Sequence, residues 1–136
     1  MTITVADAID IYGVTIHDHL PTDVTIPVLT GPQCQGDVSV LPVTTTHPGV
    51  SLPAAGIPVV RGEAGGNTHT LIGPDTVTWA PHDGSADSLT LGHVTVPHGA
   101  VAYLAHPEHS YTGIGPGTYR VGRQREWAGE WRTVAD

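Results

Sequence analysis

Short runs of Val, Thr, Leu and Tyr, each cut off by glycine or proline, set the tightest limit on how this chain can fold. They occur at Asp37–Val43, Ile57–Arg61, Thr68–Ile72, Thr76–Ala80, Ser88–Val96, Val101–Ala105, Thr118–Trp127 and Glu130–Val134. Turn-forming stretches separate them: Thr46–Gly49, Gly73–Asp75, His82–Ser85, Pro97–Gly99 and Gly113–Gly117. β-branched and aromatic side chains suit a pleated, half-buried surface, and none of these runs is long enough for a crossover helix. The pattern predicts an all-β fold, a small sandwich or barrel. Within Leu89–Val96 the inward positions read as Leu89, Leu91, Val94 and Val96, and the change of parity near Gly92 predicts a β-bulge. The runs on either side of Ala128-Gly129 predict a tight hairpin.

Residues 1–33 have a different texture and read as an N-terminal arm, leaving 34–136 as the β-sandwich or barrel body. Thr4 followed by Asp7 is an N-cap arrangement, Val5, Ile9 and Tyr12 share a helical face, and Gly13 supplies a stop. A short helix is expected there, although Ile9 and Ile11 alternating with Asp10 also permit a strand. Val14–His17 and Val24–Val28 alternate like strands. Pro21, Pro27 and Pro32 each lack an amide proton, so the arm suits an edge strand or extended segment rather than a sheet interior.

The composition narrows function by exclusion. The 136 residues fit one ordinary domain. Net charge is −8, lysine is absent, and four of the five arginines (Arg120, Arg123, Arg125 and Arg132) fall among the last seventeen residues. Nucleic-acid binding needs a basic surface that displaces counterions, so no nucleic-acid partner is expected. No stretch reaches the ~20 apolar residues of a membrane helix, and no basic-then-apolar start marks a secretory signal. A cytoplasmic protein, or part of a particle assembled in the cytoplasm, is expected. Cys34 is the single cysteine, which rules out an internal disulfide and reads as incidental rather than nucleophilic. Lys and Phe are missing and Asn67 is the sole asparagine, a bias expected of a GC-rich source.

Histidine is the residue in excess, with nine copies. His17 and His19 would share one face of a strand, Asn67-Thr68-His69 opens a run, and His106-Pro107-Glu108-His109 follows another. Imidazoles and carboxylates carried on neighbouring strands can converge on zinc or iron. A facial set of His69, His106 and His109 with Glu108 is therefore a candidate site for one transition metal. The competing expectation is that these histidines are surface, turn or hydrogen-bonded core groups, with no catalytic residues and no cofactor. No His-Glu-x-x-His, Gly-x-Ser-x-Gly or phosphate-loop motif occurs. Glu63 with Glu108 could form a carboxylate pair only if folding brought them together. Trp79, Trp127 and Trp131 read as core or interface aromatics.

Taken in order, five motifs resemble a small uncharacterised family of short β-rich proteins of bacteria and phages. They are Gln35-Gly36-Asp37-Val38, Val60-Arg61-Gly62-Glu63-Ala64 with His69, His106-Pro107-Glu108-His109, Pro116–Val121 and Arg123–Trp127. The resemblance spans Gln35 to Trp127 and leaves the arm uncovered. The family pattern places histidine where this chain has Asn67, which weakens a family metal site here. The turn at Pro116–Tyr119 also resembles the second cupin motif, without the rest of that pattern. Two functions follow as expectations. One is a non-enzymatic structural or assembly module, such as a phage virion component decorating a capsid, forming homo-oligomers or joining another protein assembly. The other is a cupin-like metal protein with hydrolase or oxygenase activity.

Overall fold

The computed structural model describes residues 2–61, 67–82 and 89–123, together with the backbone of 125–127 and 131–133. The runs fold back on each other as two stacked sheets, so the architecture is a sandwich and not a closed barrel. The elements in chain order begin with helix α1 (Val5–Tyr12), then strands β1 (Val28–Leu29), β2 (Gln33–Gln35), β3 (Val38–Pro42) and β4 (Val50–Ser51). β5 (Ile57–Val60), β6 (His69–Ile72), β7 (Thr78–Pro81) and β8 (Thr90–Val96) follow. The chain continues with β9 (Ala102–His106), β10 (Ser110–Ile114), β11 (Gly117–Arg123), β12 (Arg125–Trp127) and β13 (Trp131–Thr133). One sheet has the order β1-β10-β9-β6-β5 and the other β2-β3-β11-β8-β7-β4; β12 and β13 pair separately. That pair matches the expected hairpin, whose tip lies outside the described residues.

Between the sheets lies the main core, built from Val38, Val40, Leu71, Trp79, Val94, Leu104 and Tyr119 among others. Full burial of each such side chain stabilises by about 1.5–3 kcal/mol relative to exposure. β8 alternates as read: Gly92, Val94 and Val96 are buried while His93 and Thr95 face out. The bulge falls at the expected place. Val121 on β11 faces Gly92 and Gly122 faces Thr90, leaving Leu91 as the extra residue. Tyr119 pins the step from one sheet to the other, its hydroxyl donating to the Gly115 carbonyl at 2.7 Å.

The arm folds onto its own body. Thr4 and Asp7 close a reciprocal capping box, and Gly13 ends α1 at φ 82°, a left-handed conformation that glycine adopts without penalty. Val5 and Ala8 of α1, with Ile26, bury Ile72, Tyr103, Ala105 and Tyr111 on the outer face of the five-stranded sheet. β9 is consequently buried on both faces along its whole length. Beyond α1, Val14–His17 is not a strand as its alternation predicted. Its backbone serves the body instead, Val14 accepting from the Tyr111 hydroxyl at 2.6 Å and His17 N–H donating to Pro107 O at 2.9 Å. In Val24–Val28 only the end enters a ladder, where β1 lies parallel to β10 as an edge strand. Among the described residues, three strands fall outside the expected runs, the short β2 and β4 and the five-residue β10, which holds Gly113 inside it rather than in a turn.

Candidate functional site

One end of the sandwich carries a polar cluster fed by both sheets. Gly36, at φ 58°, makes the turn between β2 and β3, and this left-handed bend aims both flanking side chains, Gln35 and Asp37, between the sheets. His69 starts β6, two residues before the core residue Leu71, and His106 ends β9, two residues after Leu104. Both histidines are thereby inward-facing, and both are fully buried. Arg123 ends β11, opposite Val38.

The hydrogen bonds fix the protons. Gln35 Nε2 donates to Leu104 O at 2.8 Å, with Ser110 O and Thr112 Oγ1 farther off at 3.3 and 3.4 Å. Its amide oxygen is therefore the atom facing His69 Nδ1 at 3.0 Å, so Nδ1 carries a proton and donates it. His69 Nε2 then points at Asp37 Oδ1, 3.4 Å away, in an approach too oblique for a hydrogen bond. Asp37 is 1 % exposed, and its other oxygen accepts from Arg123 Nε and Nη2 at 3.4 and 3.3 Å. A buried carboxylate needs such a partner, because an isolated one would cost several kcal/mol in desolvation, on the order of the strongest single-site effects. His106 Nδ1 accepts from the backbone N–H groups of Glu108 and His109 at 3.0 and 3.2 Å. With Nδ1 an acceptor, the neutral ring carries its proton on Nε2.

The predicted set is only partly assembled. The His69 and His106 rings lie 4.3 Å apart between centroids, His106 and His109 4.5 Å, and His69 and His109 6.0 Å. Glu108 is exposed and turned to Asn67, whose Nδ2 donates to it at 3.2 Å. Asn67 thus acts as a hydrogen-bond donor to the nearby carboxylate. His17 and His19 are exposed and lie outside any strand, with ring centroids 5.8 Å apart. Glu63 lies outside the described residues, so the Glu63–Glu108 pairing has no placement. Trp79 is a core residue, as read. Gln35 and Asp37 as partners of His69, and Arg123 as the partner of Asp37, were not expected from the sequence; a glycine between two polar residues was the signal available.

A transition metal fits these side chains poorly. A neutral His106 whose Nδ1 accepts two amide protons has no lone pair left on Nε2 for a cation. Among the described residues no group of three or more His, Cys, Asp or Glu side chains is placed to hold a metal ion.

The fold and this cluster define a class: an all-β sandwich with a buried Gln-His-Asp chain, capped by a partly exposed arginine, at one end. Domain of unknown function (DUF8820) matches residues 34–124, and the chain belongs to that family. No curated protein and no solved structure matches it.

Proposed function

We propose that this chain is a non-enzymatic structural or assembly module acting as a homo-oligomer, with decoration of a phage capsid as the specific form. The observation that carries the proposal is the closure of the histidine cluster at the end of the sandwich. His69 and His106 are fully buried, and the Nδ1 of each is bonded to the chain's own groups. A hydrolase or oxygenase needs its base or ligands within reach of substrate. Here His69 ties one sheet to the other through Gln35, and His106 holds the turn that follows β9. At the edge of the six-stranded sheet, on the two-residue strand β4, Val50 is 64 % exposed, and an exposed apolar side chain of this kind gives a neighbouring copy something to cover. Light scattering on the purified protein, with co-purification from particles, tests the proposal. An oligomer recovered with particles is the expected result. A strict monomer found free in cell extract refutes it.

The convergence of three imidazole rings favours a second reading, a metal protein using His69 and His109 with Glu108 assisting and His106 rearranged. Elemental analysis of protein purified without a histidine tag decides between the two. A full equivalent of zinc or iron would establish the metal reading, and a trace would eliminate it.

A further inference from the structure

The two sheets differ in what covers them. The arm lies over the five-stranded sheet, whereas no helix packs on the outer face of the six-stranded sheet among the described residues. On that face, strand register sets Leu41, Arg120, His93 and Ala80 in one row across β3, β11, β8 and β7. The neighbouring row, Thr118, Thr95, Thr78 and Ser51, is made of hydroxyls. His47, from the connection between β3 and β4, stacks its ring on His93 at 3.8 Å between centroids.

Arg120 is held in place. Its Nε donates to Thr90 Oγ1 at 2.8 Å, and the guanidinium lies over Gly122, where a Cβ would come within 3.3 Å of its Cζ and Nη1. Arg120 is thereby anchored over Thr90 and Gly122, next along the sheet from its cross-strand neighbour His93. The groups acting on His93 are His47, Arg120 and His82, all of the cationic type. The ion pairs of the described residues gather at Asp37, at the far end of the chain's polar chemistry, and none neutralises this patch. In a chain of net charge −8, counted with neutral histidines, Arg120 is thus a formal positive charge with no carboxylate partner among the described residues. Burial first, then the nearby His47, Arg120 and His82, pushes the His93 ionisation below its ordinary range. An anion at the patch reverses the last three of those effects.

We propose that Arg120, His93 and His47 form a binding site for an oxyanion group (sulfate, phosphate or carboxylate) on the uncovered face of the six-stranded sheet. The guanidinium provides a planar pair of N–H donors and a constant charge, and the stacked imidazoles add charge as they take up protons. Thr95 and Thr118 stand beside them as neutral donors. By linkage, ligand binding and protonation of the imidazoles reinforce each other.

The test follows histidine ring resonances while sulfate, whose charge is constant through the range, is added to the full chain at about pH 6 and about pH 8. Acetate forms a parallel arm. Saturable shifts confined to His47, His93 and His82 are expected, with sulfate about tenfold tighter at the lower pH. Arg120→Gln and, separately, His47→Gln should each weaken sulfate about fivefold, and His47 lies in a connection whose substitution leaves the strands intact. Saturation by sulfate alone narrows the ligand to tetrahedral oxyanions, and saturation by both probes supports recognition by charge. Shifts that rise linearly and equally at all nine histidines, or affinities unchanged in both variants, overturn the proposal.

Discussion

Gln35→Leu is the substitution that bears most directly on how the two sheets are joined. Gln35 belongs to the six-stranded sheet, yet its amide nitrogen bonds Leu104 O at 2.8 Å in the other sheet, and its oxygen receives His69 Nδ1–H at 3.0 Å. The residue is 4 % exposed, so water cannot replace either contact. Leucine fills nearly the same volume and removes both bonds. Orphaning the buried imidazole N–H costs about 1–3 kcal/mol, and losing the Leu104 bond about 0.5–1.5 kcal/mol more. The added apolar contact offsets part of this, leaving an expected loss of about 2–4 kcal/mol. At about 2.1 cal/mol/K of unfolding entropy per residue, each kcal/mol is worth roughly 3.5 °C here, so Tm should fall by about 7–14 °C. A double-mutant cycle with His69→Leu, followed by urea unfolding, isolates the shared bond. The double variant should be more stable than the sum of the two losses predicts by about 1 kcal/mol or more. A Gln35→Leu loss below about 0.5 kcal/mol, or strict additivity, would refute the view that this contact ties the sheets.

Tyr119→Phe removes the hydroxyl that holds Gly115 O and should cost about 1–2 kcal/mol by chemical denaturation. Gly92→Ala would set a methyl 2.5 Å from Trp79 Cζ2 and 2.6 Å from Ala80 O, overpacking the core by about 1–3 kcal/mol and changing the Trp79 fluorescence. Burial pushes the Tyr111 phenol up to about 12, and it moves Tyr12, Tyr103 and Tyr119 in the same direction. The stability these groups contribute is complete below the free-phenol value of 10 and is lost as pH rises from 10 towards 12; thermal melts across that window check the loss, which Tyr111→Phe should reduce. Acidification reduces the formal charge of −8, so self-repulsion should fade and turbidity should rise between neutral pH and ~5. A flat trace would contradict that expectation.

The strands that face a core on one side only were legible because their alternation is clean, as in Gly92–Val96. Gly113 was misread for a physical reason. A Cβ there would meet Pro27 O and Val28 Cγ2 at 2.8 Å, so this glycine marks the close approach of β1 and not a turn. Val14–His17 alternates like a strand but finds no ladder, because Tyr111 and Pro107 claim its backbone. His69 and His106 could be placed inward from their spacing to Leu71 and Leu104. The partners of His69 could not, since Gln35 and Asp37 reach it, and Arg123 reaches Asp37, through the packing of distant strands that no local pattern encodes. Glu108 followed the same rule in reverse: adjacent to two cluster members in sequence, it faces outward from an exposed turn.

The left edge of the family match, at residue 34, falls in the middle of β2, a few residues after β1 has already joined the opposite sheet. A fragment trimmed to that edge would lose the helix lid and leave Ile72, Tyr103, Ala105 and Tyr111 as one greasy panel facing water. In this chain, the residues that precede the family match are therefore a working part of the packing, because a panel of that kind left open to water invites association.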